Sequence, residues 1–167
     1  MKVTSAQANK LFRKLNEEYA SLLLNERDSS TFLASVGEDA ESVRPDYDYK
    51  AVRDRLNEIE EQLRKLKHAL NLFNSSTRIE EFDMTIDEML VYIPQLTKRK
   101  AKLQTMKNRL PKARCSTNFN KNIIDYEYIN YSLDEVREDF EKVSDELARA
   151  QIALDTANNS IEFELDI

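Results

Sequence analysis

Residues 52–73, VRDRLNEIEEQLRKLKHALNLF, decide how the chain reads. Val52, Leu56, Ile59, Leu63, Leu66, Leu70 and Phe73 recur at alternating steps of four and three, and no polar residue interrupts them. That spacing places one apolar stripe on a helix and faces it toward a partner helix. Arg53, Glu58, Glu60, Glu61, Arg64 and Lys67 fill the positions between, as expected of a solvated outer face.

Three further stretches repeat the pattern. Upstream, Thr4 or Ser5 is the expected N-cap of a helix whose stripe is Ala8, Phe12, Leu15, Tyr19 and Leu22, widened by Leu11 and Leu23 and failing at Glu26. Downstream, Thr85 and Glu88 form a capping box for a helix carrying Met89, Tyr92, Leu96, Leu103, Met106 and Leu110. Arg99 is the one polar residue on that stripe, with its stem expected to pack and its guanidinium to reach water. Pro94 lies inside this helix and is expected to bend it, because it removes a backbone N–H. Ser132 and Glu135 cap the last helix, whose stripe is Leu133, Val136, Phe140, Val143, Leu147, Ala150, Leu154 and Ala157. Helices are therefore expected over about 5–26, 48–74, 86–110 and 133–158.

The remaining segments are read as short extended pieces and loops. The connector 27–48 holds Phe32, Leu33 and Val36, with part of it expected as a short strand, then Gly37, acidic residues, and Asp46 or Asp48 to cap the second helix. Strands are expected over 77–83, 123–131 and 160–167, the last alternating Ile161, Phe163, Leu165 and Ile167 with acidic residues. Residues 112–122 read as a polar loop, and the N-terminus reads as leading directly into the first helix.

The fold class that follows is mostly α: an elongated antiparallel up-down-up-down bundle or coiled coil of four helices, as one domain over residues 1–167. Helices of about 25 residues at ~1.5 Å per residue would span roughly 40 Å. Connectivity sends the strands after the second and fourth helices to one end. The Phe32 piece and the strand 123–131 go to the other, so a small pairing is expected at each end.

Composition narrows the function. A chain of 167 residues with 34% charged residues, one Gly and three Pro suits long helices. A lone glycine excludes both G-x-G-x-x-G and the P-loop, whose backbones need several positions that only glycine tolerates. One His and one Cys argue against a zinc site, and a thiol–histidine pair would need the histidine buried beside its nucleophile. His68 falls opposite the stripe of its helix and is expected to face water, and Cys115 is expected to be an ordinary loop thiol. The acidic groups Asp46 and Asp48, and Glu80, Glu81, Asp83 and Asp87, lack EF-hand spacing and read as solvated faces. No apolar leader and no membrane span is visible, which with the single cysteine points to the cytoplasm.

The most suggestive feature is a basic run. Lys98, Arg99, Lys100, Lys102, Lys107, Arg109, Lys112 and Arg114 occur with no acidic residue between Thr97 and Ile124. They are the candidate polyanion-binding residues, although aromatics for base stacking are missing from the run itself. The net charge of -6 argues mildly against wholesale nucleic-acid binding.

The order of elements resembles the septicolysin-like family of bacterial helical proteins. Gly37-Glu38-Asp39 resembles that family's acidic connector, Leu70-Asn71-Leu72-Phe73-Asn74 its helix ending, and the last helix running into a final strand its C-terminal end. The similarity covers the chain from about Gly37 onward, and the tryptophan associated with that end is absent here. The resemblance implies no enzyme activity and transfers no functional residue, while the family's toxin-like name implies membrane action.

The expected function is therefore non-enzymatic and needs no cofactor: binding other protein chains, copies of itself among them. Binding of a polyanion such as nucleic acid through 98–114 is the alternative, and membrane activity the third reading.

Overall fold

The computed structural model describes residues 1–115 and 124–167. It is mostly helical, with short antiparallel strand pairs. Among the described residues there are four α-helices: α1 (Ser5–Ser29), α2 (Tyr49–Ser76), α3 (Ile86–Lys107) and α4 (Leu133–Ser160). Six short strands among the described residues pair two by two: β1 (Lys2–Thr4) with β6 (Glu162–Glu164), β2 (Arg78–Ile79) with β3 (Met84–Thr85), and β4 (Lys112–Arg114) with β5 (Tyr126–Tyr128). Contacts divide the chain into two compact units, residues 1–77 with 156–167, and residues 78–155.

Helix starts follow local chemistry. Thr4 caps α1 in a box with Gln7, and Asp48 caps α2 by accepting from the N–H groups of Lys50 and Ala51. Thr85 and Glu88 close their box on α3, each side chain accepting the other's backbone N–H. That contact holds the Glu88 carboxyl below its usual range. For α4, the Glu135 N–H donates to the Ser132 hydroxyl at 3.3 Å.

In the first unit α1 and α2 form an antiparallel hairpin. Tyr47, just before α2, donates to Glu26 near the end of α1, while Arg55 and Glu60 further along α2 meet Glu18 and Tyr19 earlier in α1, so the two helices run in opposite directions. The apolar stripes meet between them: Ala8 and Leu15 of α1 cluster with Ile59, Leu66 and Leu70 of α2, closed by Val3 and Leu165. Half-buried Phe12, Tyr19, Leu22 and Leu63 extend this cluster.

The Glu26 carboxylate is an acceptor for half-buried Tyr47 and pushes its phenol up to about 12 from an ordinary 10.0. The neutral phenol is the form the fold favours. Its contribution to stability is therefore complete below pH 10 and is lost as the pH rises through about 12. A tyrosinate absorbance titration is expected to show a late step near pH 12 that Tyr47→Phe removes. If the step persists in that variant, the assignment is wrong.

In the second unit α3 and α4 are also antiparallel neighbours. Tyr92 donates to Glu146, Lys100 and Lys107 lie over the Phe140 ring, and Tyr131 donates to the Met106 carbonyl at 2.8 Å. The Tyr92 phenol is raised by its bond to Glu146. α3 remains helical through Pro94 and buries Ile86, Met89 and Leu96. The α4 stripe buries Val136, Val143, Leu147, Ala150, Leu154 and Ala157, as its spacing predicts.

Several expectations need correction. The segment 77–83 is not one strand. Asp83 takes a left-handed turn (φ 51), so the chain folds back and β2 pairs with β3 around a 3-10 turn at Glu80–Phe82. The Arg78 guanidinium locks that turn through the Asp83 carboxylate at 2.6 Å and its carbonyl at 2.7 Å. The final strand therefore pairs with the N-terminal residues, which are themselves a strand instead of a lead into α1. No strand forms around Phe32; the connector holds a 3-10 turn at Ala40–Val43. Within the expected loop 112–122, residues 112–114 are β4, which takes the place of the Phe32 piece as partner of β5. The strand expected over 123–131 is only Tyr126–Tyr128, and the one over 160–167 only Glu162–Glu164. Residues 116–122 of the expected loop, and Ile123 of the expected strand, fall outside the described residues.

Candidate functional site

Two surfaces stand out, one in each unit. The first is a cleft of about 630 Å³ beside β6, with Lys65, His68, Leu72 and Phe73 of α2 on one side and residues 161–166 on the other. β1 contributes nothing to its lining, so the cleft runs along the edge of β6 that β1 leaves open. The Met1 N–H donates to the Leu165 carbonyl at 2.6 Å, and the Leu165 N–H returns a bond to Met1 at 2.8 Å. Antiparallel ladders alternate such pairs, so Glu162 and Glu164 turn their backbone groups outward to the open edge. Phe73 stacks on Phe163 at 4.7 Å and forms an apolar wall. An open strand edge beside an apolar helix face is the geometry that accepts an added peptide strand.

The second surface is the basic run. Lys98, Arg99, Lys102, Arg109, Lys112 and Arg114 are exposed, while Lys100 and Lys107 are half-buried. Arg99 is exposed, as expected of a guanidinium that reaches water from a stripe position. Lys100, four residues after Leu96, is half-buried and rests its ammonium 5.7 Å from the Phe140 ring. Lys107 reaches the same ring at 4.1 Å. These two cations lie over an aromatic face, where the ring quadrupole stabilises them.

The C-terminal part of the run turns into the β4–β5 ribbon. Lys112 stands opposite Tyr128 and Arg114 opposite Tyr126, so all four side chains share one face of the ribbon. The Lys112 ammonium lies 4.1 Å from the Tyr126 ring and 5.4 Å from that of Tyr128. Both rings are exposed, at 47% and 60%. Glu127 is on the opposite face, 3.7 Å from Arg109. The ribbon is held at its base by Tyr131 on the Met106 carbonyl and lengthened by the Cys115 N–H to Asp125 carbonyl bond at 2.8 Å. The run was thus legible as charge, but its aromatics come from 12 to 16 residues further on, and only the pairing of β4 with β5 brings them in.

The other candidates gain nothing from the fold. His68 is exposed on the rim of the cleft, and no set of three His, Cys, Asp or Glu side chains among the described residues is placed to hold a metal ion. Glu81 pairs with Arg149 at 2.9 Å and Asp83 with Arg78. No helix among the described residues is long and apolar enough to cross a membrane.

The fold is similar to that of a functionally unknown conserved protein from Corynebacterium diphtheriae, known from its crystal structure, with a TM-score of 0.63. The match has 16% identity and covers 98% of this chain and 100% of that one. At that identity the likeness speaks for the fold alone. No family model and no curated protein matches the chain.

Proposed function

We propose that this is a non-enzymatic helical protein that binds other protein chains, copies of itself included, with the apolar residues outside its packed heptad stripes as the coiled-coil element of the assembly. The observation that carries the reading is the apolar surface left over after each hairpin has packed. Leu72, Leu90, Val91 and Ile152 are 56%, 46%, 58% and 67% exposed on helices whose stripes already bury their own leucines and valines. Large apolar side chains in such numbers on helix surfaces suit a partner helix better than water. The open edge of β6 adds a second mode of contact, by strand addition. A cytoplasmic site of action and kinship with the septicolysin-like family belong to the same proposal, on the residues given for them above.

Changing Leu90, Val91 and Ile152 together to Glu tests this. Sedimentation velocity is expected to give a smaller particle than the parent, with the same helical circular dichroism. An unchanged particle size would refute a role for these residues in self-association.

A further inference from the structure

We infer that the β4–β5 ribbon and the exposed cations of α3 form a binding site for single-stranded nucleic acid. Four observations converge. The run from Lys98 to Arg114 has eight cations and no carboxylate, and the carboxylate nearest in the ladder, Glu127, is turned to the other face and engaged by Arg109. Lys98, Arg99, Lys102 and Arg114 carry exposed charge with no ion-pair partner among the described residues. Two exposed tyrosine rings then stand on the same face as Lys112 and Arg114. Finally, Tyr131, three residues after β5, donates to the Met106 carbonyl in the last turn of α3, so the ribbon is fastened to the end of the basic helix.

Each feature has a separate task in such a site. Phosphates follow cations without regard to sequence, and their counterions are released on binding. Unpaired bases stack on aromatic faces, which a duplex does not offer because its bases already stack on each other. Lys112 lies over both rings, which keep 47% and 60% of their surface exposed for bases. A purely electrostatic face would need no tyrosine, and a tyrosine pair kept for packing would not be half exposed. This inference does not depend on self-association.

The test uses the full chain with a fluorescein-labelled 15-nucleotide oligo(U) and a labelled duplex of equal length, read by anisotropy from 50 to 300 mM salt. Oligo(U) is expected to bind at low salt and to weaken with a log–log slope of about −3, as roughly four phosphate contacts to a single strand give. The duplex is expected to bind at least tenfold more weakly. Tyr126→Ala with Tyr128→Ala is expected to weaken oligo(U) binding by about 30-fold, the loss of stacking of one to two bases. Tyr126→Phe with Tyr128→Phe is expected to restore it, and Lys98→Glu with Lys102→Glu to flatten the salt slope. All these positions are exposed, and circular dichroism checks that each variant is folded. Absence of oligo(U) binding at 50 mM salt would overturn the inference. So would equal affinity for the duplex, or affinity unchanged by removal of both rings.

Discussion

Leu66→Ala is expected to destabilise the first unit by about 2–5 kcal/mol, the range for truncating a fully buried leucine. Leu66 is 0% exposed and lies where the stripes of α1 and α2 close on each other, among Ala8, Leu15, Ile59 and Leu70. Both walls of that site are helices fixed by their own backbone bonds, so the space left behind collapses poorly. Urea unfolding followed by circular dichroism measures the loss. Leu72→Ala, on the outer face of the same helix, provides the contrast: it is 56% exposed and should cost no more than about 0.5 kcal/mol. Similar costs for the two would mean that the stripe is not what packs α2.

Leu165→Ala is the second large effect, at about 2–4 kcal/mol. Leu165 is 2% exposed and belongs to the same cluster as Leu66, while its backbone exchanges two bonds with Met1. The side chain therefore joins the β1–β6 ladder to the helical hairpin. Amide exchange separates this role from plain core packing. Protection of Val3 and Phe163, which face each other in the ladder, is expected to fall well before that of residues in the middle of α2. If ladder and helix amides lose protection together, Leu165 is an ordinary core residue and not a clasp.

These two residues also show how far the sequence could be read. Leu66 falls on a period of three and four that only a helix satisfies, and its neighbours on the stripe, Ile59, Leu70 and Phe73, are buried as that period requires. Caps were legible for the same reason: Thr4, Asp48 and Thr85 have local chemistry that acts within three residues. Leu165 was readable only as one of several alternating apolar residues. Its partner strand lies at the other end of the chain, where Lys2–Thr4 is too short to show any alternation. β4 was missed because Lys112-Ala113-Arg114 has no β-branched or aromatic residue, and β5 supplies the pairing that makes it a strand. The helix period alone does not separate neighbouring positions at the edge of a stripe. Leu96 is followed at three by Arg99 and at four by Lys100, and only the position of Phe140 shows that Lys100 packs on a ring while Arg99 is exposed. The candidate nucleic-acid site shares this limit, since its cations are a local run while its rings arrive by strand pairing.

The central claim is that this chain works by associating with protein chains, its own copies first. Size exclusion coupled to light scattering, over a hundredfold range of concentration and at low and high salt, tests it most directly. A defined dimer or larger assembly, relative to a 19.5 kDa chain, is expected at the upper concentrations under both salt conditions, because the contact is apolar. A mass of one chain at every concentration and both salts would contradict it.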